Sequence, residues 1–499
     1  MARFITNKKG ENDDALRHKM KNYWEVYSPT LESMMLSHDT AYLAENEQNE
    51  ILSYLPNYSG KDVLELGAGI GRFTSKLAPA AGHLTTVDFM QEYIDENQRL
   101  NQHLKNVTFV CKDVTKLDFP AGSFDLVFSN WLFMYLSDSE TFQVFQRIIN
   151  WLKPDGYFFL RESCYHQSGN VKRNENPTLY RTPYEYFQML QEITSDDKAV
   201  YRIIRGKSIL AYIHHHGNPN QLCFLTKKVD IEESDQKTQF LESRYSLKNI
   251  LAQERIYGYN WFSGGGETIA RDFCLRLGLR PGQQVLDIGC GTGGSAVFMA
   301  RHYGVQVHGV DLSTSMIYLA IERQGKLELE LKKKLQFEIS DILKVDYVAE
   351  SYDAIHSRDC FLHIQDKQRL FKKLYRWLRP GGKLLITDFC RCDVPTSEQF
   401  LKYTDFKRYS LSTIKSYQTE LEEAGFENVS TEDLREDFIK ILESGLKAFI
   451  TTREAFIKDF SQKDFDDICS SWTAKIHWAG ERQLTWGTFT ATKPEDTKA

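Results

Sequence analysis

The sequence has no long apolar run and no paired cysteines. No stretch approaches the roughly 18 consecutive apolar residues of a membrane span, and the opening MARFITNKKGENDD lacks the apolar core of a signal peptide. We therefore expect a cytoplasmic protein without membrane insertion. The nine cysteines form no CxxC pair, which argues against a disulfide framework and a zinc site of the usual spacing. Reduced thiols and no bound metal are expected.

The sequence also lacks an excess of charge. Its 62 basic and 68 acidic residues give a net charge of −6, which argues against nucleic acid as the main partner. Apolar residues at 41% and charged residues at 26% exclude global disorder. A chain of 499 residues, at about 150 residues per domain, has room for roughly two to four domains.

A long internal repeat is present. VLELGAGIG at 63–71 aligns with VLDIGCGTG at 285–293, and the later landmarks keep the same order. A period of about 225 residues is far longer than a solenoid repeat and indicates two whole domains. The later landmark pairs are Asp88 with Asp311, Asp113 with Asp341, FDLVFSN with YDAIHSR, and WLKP with WLRP.

The repeat sets the predicted domain boundaries. The charged segment KKVDIEESDQKT between the halves has no apolar periodicity and is typical of a linker. We predict a flexible N-terminus over 1–20, an N-terminal domain over 21–228, a linker over 229–240 and a C-terminal domain over 241–493. The run of His214, His215 and His216 is predicted to form a solvated hairpin between two strands.

Each half alternates short apolar strands, glycine turns and helical stretches, which predicts a doubly wound α/β sheet. Ligands of such sheets bind at the carboxyl ends of the strands, where the glycine turns fall. Gly289, Gly291 and Gly294 also satisfy the dinucleotide pattern GxGxxG, so this turn alone leaves a nicotinamide cofactor open. In the first half Arg72 takes the third glycine position.

Further acids favour S-adenosylmethionine. Glu65 and Asp287 lie inside the first strand of each half, where an acid can help to hold the cationic amino group of the methionine moiety. Asp88 and Asp311 end the second strand, a position suited to the ribose diol. We therefore predict class I methyltransferase domains. The predicted cofactor residues are Glu65, Gly67, Gly69, Arg72, Asp88, Asp113, Val114 and Asn130, then Phe262, Ser263, Asp287, Gly289, Gly291, Asp311, Asp341, Ile342 and Arg358.

Motifs outside the cofactor fold carry a resemblance. VLELGAGIGRF, FSNWLFMYLSD and FFLRESCYHQSG resemble the first domain of the plant phosphoethanolamine N-methyltransferases. RIYGYNWFSGGGET, SRDCFLHIQD, WLRPGGKLLITDFC and WGTFTATK are similar to their second domain and to the single-domain enzymes of malaria parasites and nematodes. The resemblance implies two tandem Rossmann-like domains that methylate phosphoethanolamine to phosphocholine, a phosphatidylcholine precursor, through mono- and dimethyl intermediates. The first half is expected to act on phosphoethanolamine and the second on methylated phosphobases.

The resemblance also implies the site of the second half. Tyr245 is similar to the family tyrosine that pairs with a histidine, here His363, to enclose the substrate and assist deprotonation. From spacing alone, His363 also fits a core histidine. Tyr403, Tyr409 and Lys475 match family positions that bind phosphate. Three positions depart from the family pattern: Gln253 and Phe389 replace tyrosines, and Lys407, or Arg408 one place on, stands for an arginine.

The first half is built differently, because Tyr135 occupies the position that matches His363. A tyrosine is a poor base near neutral pH, so we expect this site to align the small neutral fraction of the amine. Trp131, Phe133 and Tyr135 are candidates for cation–π contacts. The resemblance implies further substrate contacts from Ser163, Ser168, Gly169, Arg173 and Tyr180.

Two other functions stay open at this point. One is methylation of another small amine, and the other is a pseudoenzyme that binds the cofactor without turnover. The intact glycine and acid motifs of both halves argue against the pseudoenzyme. We expect a monomer whose partners are small phosphobases.

Overall fold

The computed structural model describes residues 13–35, 40–168, 177–231 and 244–495. The chain divides into two compact units. The first contains residues 1–239 with 324–333, and the second contains residues 240–323 with 334–499. Apart from 324–333, the units follow the two halves of the internal repeat.

The sheet of the first unit has the order β3-β2-β1-β4-β5-β7-β6. Strands β1 to β5 are parallel, and β7 is antiparallel to both β5 and β6. This places the carboxyl ends of the parallel strands along one edge. The strands are β1 Asp62–Leu66, β2 His83–Asp88, β3 Val107–Cys111, β4 Phe124–Asn130, β5 Leu152–Ser163, β6 Ala199–Ser208 and β7 Gln221–Asp230.

The central strands of the first half are buried along nearly their whole length rather than at alternate residues, which is typical of a parallel sheet covered on both faces. Leu64, Leu126 and Phe128 are almost fully buried, and Phe128 stacks on Phe159 with ring centroids 5.1 Å apart. The α-helices are α1 Asp13–Glu25, α2 Leu31–Met35, α3 Thr40–Tyr54, α4 Thr74–Leu77, α5 Gln91–Asn101, α6 Asp138–Trp151, α7 Pro183–Glu192 and α8 Leu210–His216, with 3₁₀ turns at Val114–Lys116 and Phe133–Tyr135.

The sheet of the second unit repeats this topology, with the order β10-β9-β8-β11-β12-β14-β13. Strands β8 to β12 are parallel, and β14 is antiparallel to β12 and β13. Two α/β methyltransferase folds, as predicted, are therefore present. The strands are β8 Gln284–Ile288, β9 Gln306–Asp311, β10 Leu335–Ser340, β11 Tyr352–Arg358, β12 Leu378–Arg391, β13 Glu427–Asp433 and β14 Leu484–Thr492.

The core of the second unit is formed by its central strands with Phe371, Trp377 and Tyr417. Tyr417 stacks on Phe489 of β14 at 4.0 Å between ring centroids. The α-helices of this half are α9 Leu247–Tyr257, α10 Gly266–Leu277, α11 Gly294–Tyr303, α12 Thr314–Gln324, α13 Leu329–Lys332, α14 Lys367–Trp377, α15 Glu398–Lys407, α16 Ile414–Glu423, α17 Arg435–Thr451, α18 Arg453–Asp459 and α19 Gln462–Gly480, with a 3₁₀ turn at Phe361–His363.

The predicted boundaries need two corrections. Residues 13–20, predicted as a flexible N-terminus, belong to helix α1, because Leu16 and Met20 bury their side chains. Residues 229 and 230, predicted as linker, belong to β7, and 227 and 228 pair there as well. The ammonium group of Lys228 explains this, since it donates to the carbonyl of Leu152 at 3.1 Å. Residues 1–12 and 232–240 lie outside the described residues.

The predicted histidine hairpin is wrong. His214, His215 and His216 end helix α8, and Gly217 closes it with a φ of 59° in the left-handed region. The carboxylate of Glu50 accepts hydrogen bonds from the first N–H groups of the helix, those of residues 210 and 211. This cap favours a helix where the sequence indicated a turn. Among the residues that the structure describes, no helix is long and apolar enough to cross a membrane.

Candidate active sites

The glycine turns of the two units are held in the same way. Asp88 Oδ2 accepts from the N–H of Gly69 at 2.8 Å, and Asp311 Oδ2 accepts from the N–H of Gly291 at 3.0 Å. Burial raises the pKa of Asp311 to about 6 and raises that of Asp88 as well. Each acid therefore fixes the turn beside which a ligand would bind, and retains lone pairs that can accept from a diol.

The acids of the first strands have different partners. Glu65 accepts from Thr74 Oγ1 at 2.5 Å and Thr86 Oγ1 at 2.9 Å, and burial raises its pKa to about 7. Asp287 lies 2.7 Å from His356 Nδ1, while its buried Oδ2 has no hydrogen-bond partner among the described residues. An unpartnered buried carboxylate oxygen is costly unless a donor from a ligand reaches it.

A cavity opens at the carboxyl ends of the first unit's strands. All eight predicted cofactor residues of this half line it, together with Tyr135 and Ser168. Helices α1 and α2 form a wall of this cavity that was not predicted from the sequence. That wall contributes Arg17, Met20, Trp24 and Met34.

Helix α1 covers this cavity through specific contacts. Arg17 lies 3.2 Å from Asp113, one of the predicted cofactor residues, and 2.5 Å from Glu140. Trp24 packs edge-on against Tyr135 with ring centroids 5.6 Å apart. Helix α1 therefore contacts both a predicted cofactor residue and a predicted substrate residue of the first unit. A polar helix with only a few buried apolar side chains gives no strong sequence signal, which explains why it was missed.

Arg72 lines the cavity but is already paired. Its Nη2 donates to Glu47 Oε2 at 3.0 Å, and Arg161 approaches Glu47 Oε1 at 2.7 Å. The Arg161 guanidinium also lies 3.6 Å from the ring centroid of Trp131. Glu47 and Arg161 are fully buried and were not predicted. This charged group fixes Trp131 in the cavity wall.

The predicted substrate residues of the first unit are only partly brought together. Ser168 is buried at the cavity, whereas Ser163 does not line it and donates to Gln221 Oε1 at 3.1 Å. Tyr180 is half-buried. Gly169 and Arg173 lie outside the described residues.

Buried acids in both units hold the turns that carry Tyr135 and His363. Glu162 accepts three N–H groups, from residues 132 to 134, at 2.8 to 3.2 Å. Asp388, at the matching place in the second unit, accepts the N–H of Leu362 at 2.9 Å. Burial raises the pKa of Glu162 to about 7 and that of Asp388 to about 8. The internal repeat aligns Glu162 with Asp388, so the sequence itself contains a signal for these two acids.

The structure brings the second unit's predicted pair together. Tyr245 Oη lies 3.5 Å from His363 Nε2, and burial raises the pKa of Tyr245 to about 12. Tyr409 packs edge-on against His363 at 5.7 Å and against Phe389 at 6.2 Å. The phenol of Tyr245 is therefore neutral near physiological pH and lies within hydrogen-bonding distance of the imidazole of His363.

Cations and phenols gather beside this pair. Lys475 Nζ lies 5.1 Å from the ring centroid of Phe389, and Arg244 Nη2 donates to Tyr409 Oη at 3.2 Å. Tyr403 Oη is buried and has no hydrogen-bond partner among the described residues. Burial, with a contribution from the charge of Arg244, lowers the pKa of Lys475 to about 8. Such a group of donors suits an anion.

The remaining predicted residues are placed as follows. Lys407 is half-buried near this group, and burial lowers its pKa, whereas Arg408 is exposed, so Lys407 is the better match for the family arginine. Gln253 is half-buried on α9. Phe262 packs with Tyr245, and Ser263 follows it half-buried. In the cofactor region, Asp341 caps the turn at Leu343, Ile342 is in the core, and Arg358 donates to the carbonyl of Gly264.

The chain is similar to known proteins over nearly its whole length. Models described as "Methyltransferase domain" match residues 63–156 and 265–431. Phosphoethanolamine N-methyltransferase 1 of Triticum aestivum is 43% identical over 96% of this chain and 97% of its own. The phosphoethanolamine N-methyltransferase of Plasmodium falciparum is 33% identical over 53% of this chain and 98% of its own.

A solved structure agrees with the fold. Phosphoethanolamine N-methyltransferase 2 of Haemonchus contortus, in complex with phosphomonomethylethanolamine and S-adenosylhomocysteine, matches with a TM-score of 0.73. The match covers 91% of this chain and all of that chain at 24% identity. At this identity the similarity shows the fold alone.

Proposed function

The chain belongs to the phosphoethanolamine N-methyltransferase family, and we propose that it methylates phosphoethanolamine to phosphocholine in three steps with S-adenosylmethionine. The observation that carries the proposal is the group in the second unit, where cations and phenols adjoin the Tyr245–His363 pair. The cations and phenols suit the phosphate of such a substrate, and the Tyr245–His363 pair suits its amine.

The residues present fit the proposed methyl donor. The unpartnered Oδ2 of Asp287 suits its cationic amino group, and the guanidinium of Arg358, with two nitrogens lacking hydrogen bonds among the described residues, suits its carboxylate. Asp88 and Asp311 would accept from the ribose hydroxyls. When bound, S-adenosylmethionine supplies an electrophilic methyl group on a sulfonium.

The protein must then provide a neutral amine in line with that methyl group. Phosphoethanolamine is mostly an ammonium at neutral pH, because its amine resembles that of lysine, with a pKa of about 10. In the second unit His363 would accept the proton, and the hydroxyl of Tyr245 would fix the imidazole ring. Asp388 positions His363 by holding its turn.

The first unit would work by alignment. Tyr135 stands at the position of His363 and is packed against Trp24, so its phenol faces the cavity as a polar and aromatic contact and not as a base. Trp131, fixed by Arg161, offers a further aromatic face to the ammonium. Ser168 would contribute a hydroxyl donor to the substrate.

One assay tests the function as a whole. Purified full-length protein is incubated with S-adenosylmethionine and each of the three phosphobase substrates, and the products are resolved by mass. We expect conversion of all three. Methylation of a different amine, with phosphobases unchanged, would favour the other-amine alternative. Stoichiometric binding of S-adenosylmethionine without any product would favour the pseudoenzyme.

The two units are expected to divide the steps. Fragments 1–235 and 236–499 should each fold, because each half contributes seven strands in the same order and has its own hydrophobic core. The first fragment should methylate phosphoethanolamine, and the second should prefer methylated phosphobases. Rates measured for each fragment on each substrate check this. The assignment is reversed if the second fragment alone performs the first methylation and the first fragment is inert.

The low pKa of Lys475 predicts a pH dependence. Its ammonium is charged below about pH 8 and neutral above it, and only the charged form attracts phosphate. Inhibition of the second unit by inorganic phosphate should therefore weaken by about tenfold per pH unit above about pH 8. The variant Lys475→Arg should remove this weakening. An inhibition constant for the parent protein that stays flat from about pH 7 to about pH 9.5 would contradict the role of Lys475.

The proposal also covers the cellular location and the oligomeric state of the protein. We propose a cytoplasmic monomer that supplies a phosphatidylcholine precursor without nucleic acid as a partner. All nine cysteines are free, and five of them are buried, which is typical of a reducing compartment. Sedimentation of the purified chain tests the monomer.

A further inference from the structure

Three cations of the second unit converge without a matching set of carboxylates. Arg244, Lys407 and Lys475 are each half-buried, and none forms an ion pair among the described residues. Two carboxylates interact electrostatically with the lysines: Asp359 with Lys475, and Asp467 with Lys407. Asp359 Oδ1 already accepts from Trp486 Nε1 at 2.7 Å and from Thr387 Oγ1 at 3.1 Å. This cluster needs an anion to balance it.

Arg244 is held in this cluster by contacts with two tyrosine rings. Its guanidinium carbon lies 5.8 Å from the ring centroid of Tyr245 and 5.5 Å from that of Tyr409, and its Nη2 donates to Tyr409 Oη at 3.2 Å. Its Nη1 reaches only the carbonyl of Lys407, at 3.5 Å, the limit of a hydrogen bond. Strong donor capacity therefore remains on a guanidinium that two aromatic rings hold in position.

We propose that Arg244 binds the phosphate group of the substrate and makes the second unit selective for amines that carry a dianionic phosphomonoester. The inference rests on the proposed function and goes beyond it, because neither the motifs nor the matched family positions pointed to Arg244. It also accounts for a departure seen in the sequence. Lys407 stands where the family pattern has an arginine. Arg244, in the segment before α9, supplies a guanidinium group to the same cluster.

The chemistry favours this residue over the two lysines as the selective contact. A lysine presents a compact charge that attracts any anion, whereas the planar fork of arginine makes two parallel hydrogen bonds to a phosphate. Bidentate binding requires two oxygens on one centre, which a phosphate and a carboxylate both offer, so charge decides between them. A carboxylate has one negative charge against two for a phosphomonoester, and a carboxylate-bearing or uncharged amine of similar size therefore leaves more of the cluster's positive charge unbalanced.

A binding experiment tests the inference without turnover. Inorganic phosphate is titrated into full-length protein saturated with S-adenosylhomocysteine, for the parent, Arg244→Gln, Arg244→Lys and Arg255→Gln. Arg255 is a matched control, because it lies on α9 and pairs with Asp459 at 2.5 Å on the surface. Since the first unit is unchanged throughout, differences between isotherms report the second unit.

We expect Arg244→Gln to weaken the second unit's phosphate affinity by about 10- to 100-fold, the scale of losing charge-assisted hydrogen bonds. Arg244→Lys should recover only part of this affinity, and Arg255→Gln should leave it unchanged. Equal phosphate affinity in Arg244→Gln and the parent would overturn the inference. Full recovery by Arg244→Lys would overturn the bidentate contact. Unchanged thermal unfolding identifies variants that are folded.

A kinetic experiment separates this inference from the proposed function. With phosphodimethylethanolamine, Arg244→Gln should raise KM by about 10- to 100-fold with a smaller change in kcat, because Arg244 is proposed to contact the phosphate and not the amine that loses its proton. If the parent methylates no phosphobase but loses phosphate binding in Arg244→Gln, the proposed function fails and the anion site stands. If the parent methylates phosphobases and Arg244→Gln has a parental KM, the function stands and the inference fails.

Discussion

Replacing His363 with alanine is expected to lower the turnover of methylated phosphobases by about 100-fold or more, which is the scale of general base catalysis. The physical reason is the position of its Nε2, 3.5 Å from Tyr245 Oη and beside the cations that we propose to bind the phosphate. Removal of the imidazole leaves only the small fraction of substrate that is already a neutral amine. Turnover is measured on full-length protein with phosphodimethylethanolamine, from initial rates of phosphocholine formation.

Two further variants make this result specific. His302→Ala removes an exposed histidine of α11 in the same unit and should have no effect. Tyr245→Phe keeps the ring but removes the hydroxyl that orients His363, so a smaller loss in kcat is expected. The first methylation of phosphoethanolamine should survive in His363→Ala, because the first unit uses Tyr135. If His363→Ala forms phosphocholine at the parental rate, His363 is not catalytic and serves only in packing.

The local patterns of the sequence predicted the central part of each fold. A strand ending in glycine, a helical stretch and a second strand ending in acid specify the arrangement in which Asp88 and Asp311 bind the turns. The same pattern occurs in both halves of the repeat, so the prediction for each half supports the prediction for the other. The final strand pair was not predicted in detail, since its position beside β5 and β12 depends on tertiary pairing.

The features that were not predicted depend on residues that are far apart in the sequence. Glu47 and Arg161 are far apart in sequence and become a buried ion pair only when α3 packs beside β5. Helix α4 ends after one turn, at Leu77, because Pro79 lacks an N–H group and cannot continue the helix. Arg244 precedes α9 in a polar segment without periodicity. Its proximity to Tyr409 is a property of the folded unit alone.

The repeated acids also explain how one fold accommodates two site chemistries. Glu162 and Asp388 fix the main chain of the turn after β4 and β11 through N–H groups, so the side chain at its end can change without loss of the turn. Tyr135 and His363 occupy that end. The residue at that end therefore differs between the halves, a tyrosine in one and a histidine in the other, while hydrogen bonds from a buried acid hold the turn in both.

The same reasoning predicts two independent cofactor sites. Asp88→Ala should weaken S-adenosylmethionine binding in the first unit, and Asp311→Ala in the second, each by about 100-fold, the scale of losing charge-assisted hydrogen bonds. Each carboxylate accepts from its glycine turn and from the N–H groups of Met90 or Ser313, so its removal also leaves those buried donors unpaired. Calorimetry should give two sites for the parent and one strong site for each variant.

The controls follow from the exposure of other acids. Asp118→Ala and Asp393→Ala remove exposed carboxylates, one in each unit, and should leave both sites intact. The variants Asp88→Asn and Asp311→Asn keep the size of the side chain and one acceptor oxygen. They should weaken binding with less disturbance of the turn, which separates loss of charge from collapse of the loop. A single site in the parent protein, or loss of both sites in Asp311→Ala, would contradict two independent sites, because each carboxylate holds only the turn of its own unit.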